Sequence, residues 1–186
     1  IVIREMADAL ALELVEKGLA TDQLTLTAGY DIENIQDPER LSRYQGEIKK
    51  DRYGRFVPKH SHGTENIGKY TSSTRKIQDA ADALFHRIVD PGLLIRRLNI
   101  TANHVMSERE VPEADACEQM DLFVDYEIMQ EEKRREEAEQ VREKKIQSTV
   151  LDIKRKFGKN AILKGTALED GATSRERNQK IGGHQA

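Results

Sequence analysis

The sequence has a single cysteine, no tryptophan and no apolar run near the ~20 residues that cross a bilayer. Cys117 alone forms neither an internal disulfide nor a cysteine-based zinc site, which indicates a reducing compartment, and we expect the cytoplasm. We expect no membrane partner and no signal peptide. The chain starts at Ile1, without methionine and inside a predicted helix, so we expect a fragment of a longer protein.

Apolar residues are also too few for one compact core, because 34% of the chain is charged and 37% is hydrophobic. The charges are separated along the chain. Residues 40–76 hold ten lysines and arginines against three acids, whereas residues 108–143 hold fourteen acids against five bases. This asymmetry predicts that the basic half binds a polyanion.

A strand–helix–strand unit is predicted between Gly63 and His104. Residues 64–71 suit a strand, and Ser72, Ser73 or Thr74 then supplies the helix N-cap. Apolar residues follow at helical spacing: Ile77, Ala80, Ala81, Leu84, Ile88 and Val89. The turn 90–92, Asp-Pro-Gly, ends this helix, and residues 94–105 alternate in polarity as a half-buried strand does.

The polar side of that last strand carries cations and neutral polar groups but no acid. Arg96 and Arg97 open it, and Asn99, Thr101 and Asn103 continue it. At the start of the helix, three hydroxyl groups and the cations Arg75 and Lys76 occur together with free backbone amides. This combination predicts a phosphate site. The structural alternatives are a solvated sheet face and hydroxyls that only cap the helix.

The remaining segments complete the predicted order. A helix with the stripe Ile3, Met6, Ala7, Leu10 and Leu14 ends at Gly18, and a half-buried strand covers residues 23–30. Residues 31–62 are too long for an ordinary connection, so they are either disordered or folded as a hairpin with its tip near residues 50–55. After a polar linker, residues 126–157 predict a highly charged helix ended by Gly158, and residues 159–186 predict a loose tail.

This order predicts an α+β fold, a two-layer sandwich in which two helices cover one face of a small antiparallel sheet. Residues 1–106 form the domain, with 31–62 as a long insertion, 107–125 form a linker, and 126–186 form the charged helix and tail. Three strands are few for such a sheet, so we expect a further strand before Ile1.

Several short motifs together resemble one family. They are Thr21-Asp22-Gln23, Gly29-Tyr30-Asp31, Gly63-Thr64, Tyr70-Thr71-Ser72-Ser73-Thr74, Ile95-Arg96-Arg97, Gln119-Met120-Asp121-Leu122-Phe123 and Lys156-Phe157-Gly158-Lys159-Asn160-Ala161. In this order they are similar to the C-terminal part of a bacterial Y-family translesion DNA polymerase, from its Gram-positive branch. The resemblance covers essentially the whole chain.

The resemblance implies a little-finger domain, a four-stranded antiparallel sheet backed by two helices that grips duplex DNA largely through phosphates. It implies translesion synthesis and DNA repair for the parent enzyme. The catalytic carboxylates and their magnesium ions belong to a palm domain upstream of Ile1, so we expect no catalytic residue, no cofactor and no activity here. Insertion 31–62 is longer than the matching connection of archaeal members, so its role does not carry over.

Two sets of site residues follow. The predicted DNA contacts are Lys69, Ser72, Ser73, Thr74, Arg75, Arg96, Arg97, Asn99 and Thr101. Adjacent strand residues point to opposite faces, so Arg97 is favoured over Arg96 unless the strand is irregular there. Basic residues of the insertion, Arg52, Arg55 and Lys59 with His60 and His62, extend this footprint or form a solvated loop.

The second set, Gln119, Met120, Asp121, Leu122 and Phe123, fits the peptide that binds the bacterial sliding clamp, with apolar anchors that enter a pocket. The alternative is an apolar island that packs on its own domain.

Other functions remain open from the residues alone. The chain could be a free-standing nucleic-acid-binding or regulatory α+β protein in which the charged helix mediates oligomers. A small hydrolase built on His60 and His62 lacks a nucleophile, base and acid set. The same two histidines have no clearly placed third ligand, so we predict no metal site.

Overall fold

The computed structural model describes residues 1–112, 126–181 and 184–185. Its helices are α1 (Val2–Lys17), α2 (Glu33–Gln36), α3 (Pro38–Arg43), α4 (Thr74–Ile88), α5 (Tyr126–Phe157) and α6 (Ser174–Arg177). Its strands are β1 (Leu19–Tyr30), β2 (Ile48–Lys50), β3 (Phe56–Pro58), β4 (Ser61–Thr71), β5 (Ile95–Asn103), β6 (Met106–Ser107), β7 (Lys180–Ile181) and β8 (His184–Gln185).

The main sheet is antiparallel and has β1 at its centre, between β4 and β5. Leu26 in the middle of β1 lies opposite Gly63 on β4 and Ile100 on β5. The short strand β6 pairs with Leu19 and Ala20 at the start of β1 and is the fourth strand. The sequence placed Ser107 in a polar linker; that assignment was wrong at this residue, because a two-residue strand carries no periodicity.

The core lies between this sheet and a layer formed by α1 and α4. Leu24 and Leu26 from β1 and Ile77 and Leu84 from α4 are fully buried there. Alternation along β1 sends these leucines toward the helices and leaves the intervening residues on the other side. The predicted two-layer α+β sandwich is confirmed.

Local signals for helix ends are also confirmed. The Ser73 side chain caps α4 by accepting a hydrogen bond from the Lys76 amide at 3.3 Å. Gly18 ends α1 in the left-handed conformation, with φ of 64°. Gly63 of β4 packs closely against α4, since an added Cβ would lie 2.9 Å from Ile88 Cγ2 and would force that side chain to shift.

Insertion 31–62 is folded, so the hairpin alternative is the one that the structure shows. Strands β2 and β3 pair antiparallel, and the connecting tip spans residues 51–55. Buried Asn34, on α2, holds the insertion to the segment before β5. Its amide nitrogen donates to Asp31 O and Leu94 O, both at 2.9 Å, and its oxygen accepts from the Leu94 amide at 2.8 Å.

In the described part of the chain the charged helix α5 spans Tyr126–Phe157, and Gly158 follows it with φ of 97°. The described part of the tail after it contains only short elements, namely a 3-10 helix at Gly165–Leu168, α6 and the pair β7–β8. Several described tail residues contact α1, and one of them, Arg177, lies with Nη2 3.4 Å from Glu5 Oε2. The Thr173 amide donates to Glu5 Oε2 at 2.9 Å, and Lys164 Nζ lies 2.6 Å from Asp8 Oδ1.

Candidate nucleic-acid interface

One face of the main sheet carries none of the described helices and is lined by polar side chains in register. Across the three strands, Gln23 lies between Asn66 and Asn103, Thr25 between Thr64 and Thr101, and Thr27 between His62 and Asn99. Gly29 lies opposite Arg97 at the end of this pattern. We call these side chains the open face: Gln23, Thr25, Thr27, His62, Thr64, Asn66, Arg97, Asn99, Thr101 and Asn103.

Hydrogen bonds between neighbouring strands hold the open face in place. Gln23 Nε2 donates to Asn66 Oδ1 at 2.7 Å, and Asn103 Nδ2 donates to Gln23 Oε1 at 2.9 Å and to Thr25 Oγ1 at 2.6 Å. Thr27 Oγ1 and His62 Nδ1 share a hydrogen bond of 2.9 Å. The open face contains no carboxylate, so its groups suit an anionic ligand.

A bulge at the start of β5 brings Arg96 and Arg97 out of the core together. Tyr30 pairs with Ile95 and Gly29 pairs with Arg97, so Arg96 is an extra residue without a partner on β1. Ile95 and Leu98 therefore both pack toward the core although they are three residues apart. Both arginines are exposed. Strict alternation, which favoured Arg97 alone, fails here because of the extra residue.

Both arginines are free to meet a ligand charge. Within the described ranges, neither guanidinium forms an ion pair with a carboxylate. Guanidinium groups present several N–H donors in a fixed plane and bind phosphate with paired hydrogen bonds. The open face thus ends in two groups of a chemical type that binds phosphate well.

The predicted site at the α4 start lies at the other end of the sheet. Thr71 pairs with Thr21, eight residues before Gly29 on β1, which is ~26 Å along an extended strand. Lys69 belongs to an irregular segment of β4 at this same end, between Asn66 and Thr71. The nine predicted DNA residues therefore divide into two groups, with Arg96, Arg97, Asn99 and Thr101 together at or near the open face.

Helix α5 covers the start of α4. Glu143 accepts a hydrogen bond from Ser73 Oγ at 2.6 Å with one carboxylate oxygen and from the Arg75 amide at 3.1 Å with the other. The buried Gln147 side chain donates to Ser72 O at 3.0 Å and to Thr74 Oγ1 at 2.9 Å. A carboxylate thus occupies the position at which a phosphate was predicted, and DNA contact there stays a prediction.

The nearby cations are also paired with α5. Arg75 lies 3.2 Å from Glu139, and Lys76 lies 2.6 Å from Glu136. The hydrogen bond from Lys76 lowers the pKa of the Glu136 carboxyl below its usual value. The acidic half of the chain therefore neutralises part of the basic half, an intramolecular pairing that local sequence patterns do not show.

Seven open-face residues were outside the nine predicted DNA contacts, and of these only His62 had been named as a possible extension of the footprint: Gln23, Thr25, Thr27, His62, Thr64, Asn66 and Asn103. A signal existed for the first three, because they are the polar positions of an alternating strand. Their alignment with Asn99, Thr101 and Asn103 depends on strand order and register, which the sequence alone does not specify.

Three further questions from the sequence concern the clamp peptide, a metal site and membrane-spanning helices. The predicted clamp peptide, Gln119–Phe123, lies outside the described residues. In the described part of the chain no group of three histidine, cysteine or acidic side chains is placed to hold a metal ion. The described helices include none long and apolar enough to cross a membrane.

Comparison with known proteins gives one match. A family model described as the impB/mucB/samB family C-terminal domain matches residues 1–122. Neither the curated proteins nor the solved structures contain a match to the chain. The matched range contains α1, the whole main sheet, the insertion and α4. The chain belongs to the impB/mucB/samB family, and residues 1–122 are its C-terminal domain, the little-finger DNA-binding module of Y-family DNA polymerases.

Proposed function

We propose that the open face and the bulged pair Arg96 and Arg97 are the surface on which this module holds duplex DNA. The observation that carries the proposal is the acid-free polar face that ends in two guanidinium groups, neither of which is paired with a carboxylate among the described residues. Amide and hydroxyl groups on a flat sheet give many weak contacts to phosphate and sugar oxygens, and the arginines add charge.

These contacts predict binding with little sequence preference. Phosphate contacts fix position on the duplex but carry no base information. Primer–template DNA, damaged or intact, is the substrate expected of a translesion polymerase, because a backbone-directed grip does not depend on a normal base.

A salt titration of Arg97→Ala tests the proposal. Each phosphate contact that is lost reduces the steepness of log K against log salt concentration by ~0.9 for B-DNA. We expect that change for duplex binding by the variant, together with weaker binding at low salt. Arg4→Ala is a matched control, because Arg4 lies on the helix layer in an ion pair with Asp82.

The control should keep the wild-type slope. An Arg97→Ala variant with the wild-type slope and affinity would remove the arginine pair from the DNA surface and refute the proposed orientation.

We also propose that Gln119–Phe123 tethers the polymerase to the bacterial replicative sliding clamp. The support is chemical: Met120, Leu122 and Phe123 form an apolar island in an acidic segment, and such anchors carry most of the energy of short peptide contacts. Tethering raises the local concentration of the polymerase on DNA without touching its chemistry.

Calorimetric titration against the clamp tests this tether. Replacing Leu122 and Phe123 together with alanine should weaken binding by more than ~2 kcal/mol, which is over tenfold. Val141→Ala is the control, since Val141 is 71% exposed on α5 and lies outside the peptide. Normal clamp binding by the double variant, or loss explained by a collapsed melting temperature, would show that the island is not a tether.

We further propose that the parent protein is a DNA-directed DNA polymerase whose catalytic carboxylates and magnesium ions lie in a palm domain outside this sequence. The support is that the matching family model describes a C-terminal domain. The 186-residue chain should therefore not extend a primer when supplied with nucleotides and magnesium. Primer extension by this chain would contradict the proposal.

A further inference from the structure

The hairpin formed by β2 and β3 carries two aromatic rings that point into solvent. Tyr53 at its tip is 79% exposed and Phe56 on β3 is 56% exposed. Each ring has a cation near it: Arg55 Cζ lies 5.2 Å from the Tyr53 ring centroid, and Lys50 Nζ lies 5.2 Å from that of Phe56. Large exposed rings bordered by cations are typical of surfaces that stack nucleic-acid bases.

The tip is held in one conformation by Asp51. Its Oδ1 accepts hydrogen bonds from the Tyr53 amide at 2.8 Å and the Arg55 amide at 3.0 Å, and its Oδ2 accepts from Arg55 Nε at 2.8 Å. Gly54 adopts a positive φ of 78°, which the tight turn requires. A ring on an ordered tip loses less conformational freedom on binding than a ring on a mobile loop.

The base of the hairpin is anchored to the domain. Pro58 is fully buried, and Tyr44 donates its hydroxyl to Glu47 O at 3.0 Å. Glu47 also pairs with Lys49 at 3.4 Å and with Lys59 at 2.9 Å. The carboxylate at the base thus neutralises two cations there. Toward the tip, Lys50 and Arg52 form no ion pair with any described carboxylate, so positive charge is concentrated beside the rings.

The hairpin stands at the arginine end of the sheet. It connects the end of β1 to the start of β4, where Tyr30 Oη and Ser61 Oγ are 2.7 Å apart. Gly29, next to Tyr30, pairs with Arg97. The arginines and the hairpin therefore lie at the same end of the main sheet.

We propose that the hairpin binds single-stranded DNA and stacks unpaired bases on Tyr53 and Phe56. Duplex DNA keeps the faces of its bases covered by their neighbours, so free rings suit a strand whose bases are exposed. Because the hairpin and Arg97 share one end of the sheet, we expect this strand to extend from the duplex on the open face. That adjacency rests on the proposed DNA function, whereas binding of a single strand by the hairpin does not.

Tyr53→Ala tests the proposal with three ligands: a labelled oligothymidine, a blunt duplex, and a primer–template with a single-stranded overhang. Removal of a stacking ring should weaken binding of the oligothymidine and the overhang by about five- to 100-fold. The blunt duplex should bind as it does to the wild type. Tyr53→Phe keeps the ring and should retain the wild-type affinity.

Phe157→Ala is a matched control on α5. Phe157 is 67% exposed and has Lys156 Nζ at 5.3 Å from its ring centroid, so it has similar exposure and a similar cation but lies away from the hairpin. Its affinities should be unchanged. A 2-aminopurine base placed along the overhang should be quenched by the wild type and not by Tyr53→Ala, which identifies stacking directly.

Unchanged binding of both single-stranded ligands to Tyr53→Ala would overturn the proposal, as would an equal loss on the blunt duplex or an equal loss in Phe157→Ala. If Tyr53→Ala weakens oligothymidine binding while Arg97→Ala keeps the wild-type salt slope for the duplex, the hairpin proposal stands. The same result would refute the proposal that duplex DNA binds the open face.

Discussion

Gln147 is a buried side chain that attaches α5 to the start of α4. It is 5% exposed, and its amide donates to Ser72 O and Thr74 Oγ1. Gln147→Ala removes both hydrogen bonds and leaves both acceptors without this partner. At ~1 kcal/mol for each hydrogen bond, docking of α5 should weaken by about 2 kcal/mol, or ~30-fold. Glutamine and alanine differ little in helix propensity, so the helix itself should persist.

Amide hydrogen exchange is the assay, because it reports local opening separately from global unfolding. Protection of α5 amides that depend on docking should fall by about 30-fold, with little change in the amides of β1 at the centre of the sheet. Gln140→Ala is the control on the same helix, since its amide is exposed and lies 3.5 Å from Glu136 Oε1. Equal effects of the two substitutions, or no effect of Gln147→Ala, would refute the docked arrangement.

Three further predictions concern packing, pH and the α4 start. Gly63→Ala should destabilise the domain by ~1–3 kcal/mol in denaturant melts, because the new Cβ overlaps Ile88. Burial raises the pKa of Glu5, but hydrogen bonding, chiefly from the Thr173 amide, lowers it by more, so the net pKa is below its ordinary 4.5. Tail docking should therefore be complete above pH 4.5 and be lost as pH falls through the lowered value, as followed by the Thr173 amide signal. If the α4 start binds phosphate, Glu143→Ala should raise duplex affinity.

Each of these three predictions would be contradicted by a specific result. Gly165→Ala meets no atom within 4 Å at its new Cβ, so a loss equal to that of Gly63→Ala would contradict the packing argument. Glu5→Gln should abolish the pH response of Thr173, and a persistent response would assign it to another group. Unchanged duplex affinity in Glu143→Ala would leave Ser72, Ser73, Thr74 and Arg75 as structural residues.

Local chemistry was sufficient to predict the parts of the fold that depend on neighbouring residues. The cap at Ser73, the stop at Gly18 and the alternation of β5 each follow from a few adjacent side chains. The bulge also had a local signal, since Ile95 and Leu98 are both apolar and three apart in a strand that otherwise alternates. Sequence reasoning allowed for an irregular strand start without using this signal, and it therefore favoured Arg97 over Arg96.

The contacts of α5 could not be predicted in the same way. Glu143 and Gln147 lie among many charged residues and resemble a solvated helix face, yet their partners are about 70 residues away at Ser73 and Thr74. Which acidic residues meet which basic ones depends on how the elements pack. The predicted phosphate site at the α4 start was chosen by composition, and composition does not show that a carboxylate of the same chain reaches it.

The central claim is that duplex DNA lies on the open face, and side-chain amide signals in nuclear magnetic resonance test it most directly. Gln23, Asn66, Asn99 and Asn103 each place such a group on that face, whereas Gln78 on α4 donates to Arg4 O on the helix side. On addition of a blunt duplex, the four open-face signals should shift and that of Gln78 should not. Shifts at Gln78 with the four open-face signals unmoved would contradict the account.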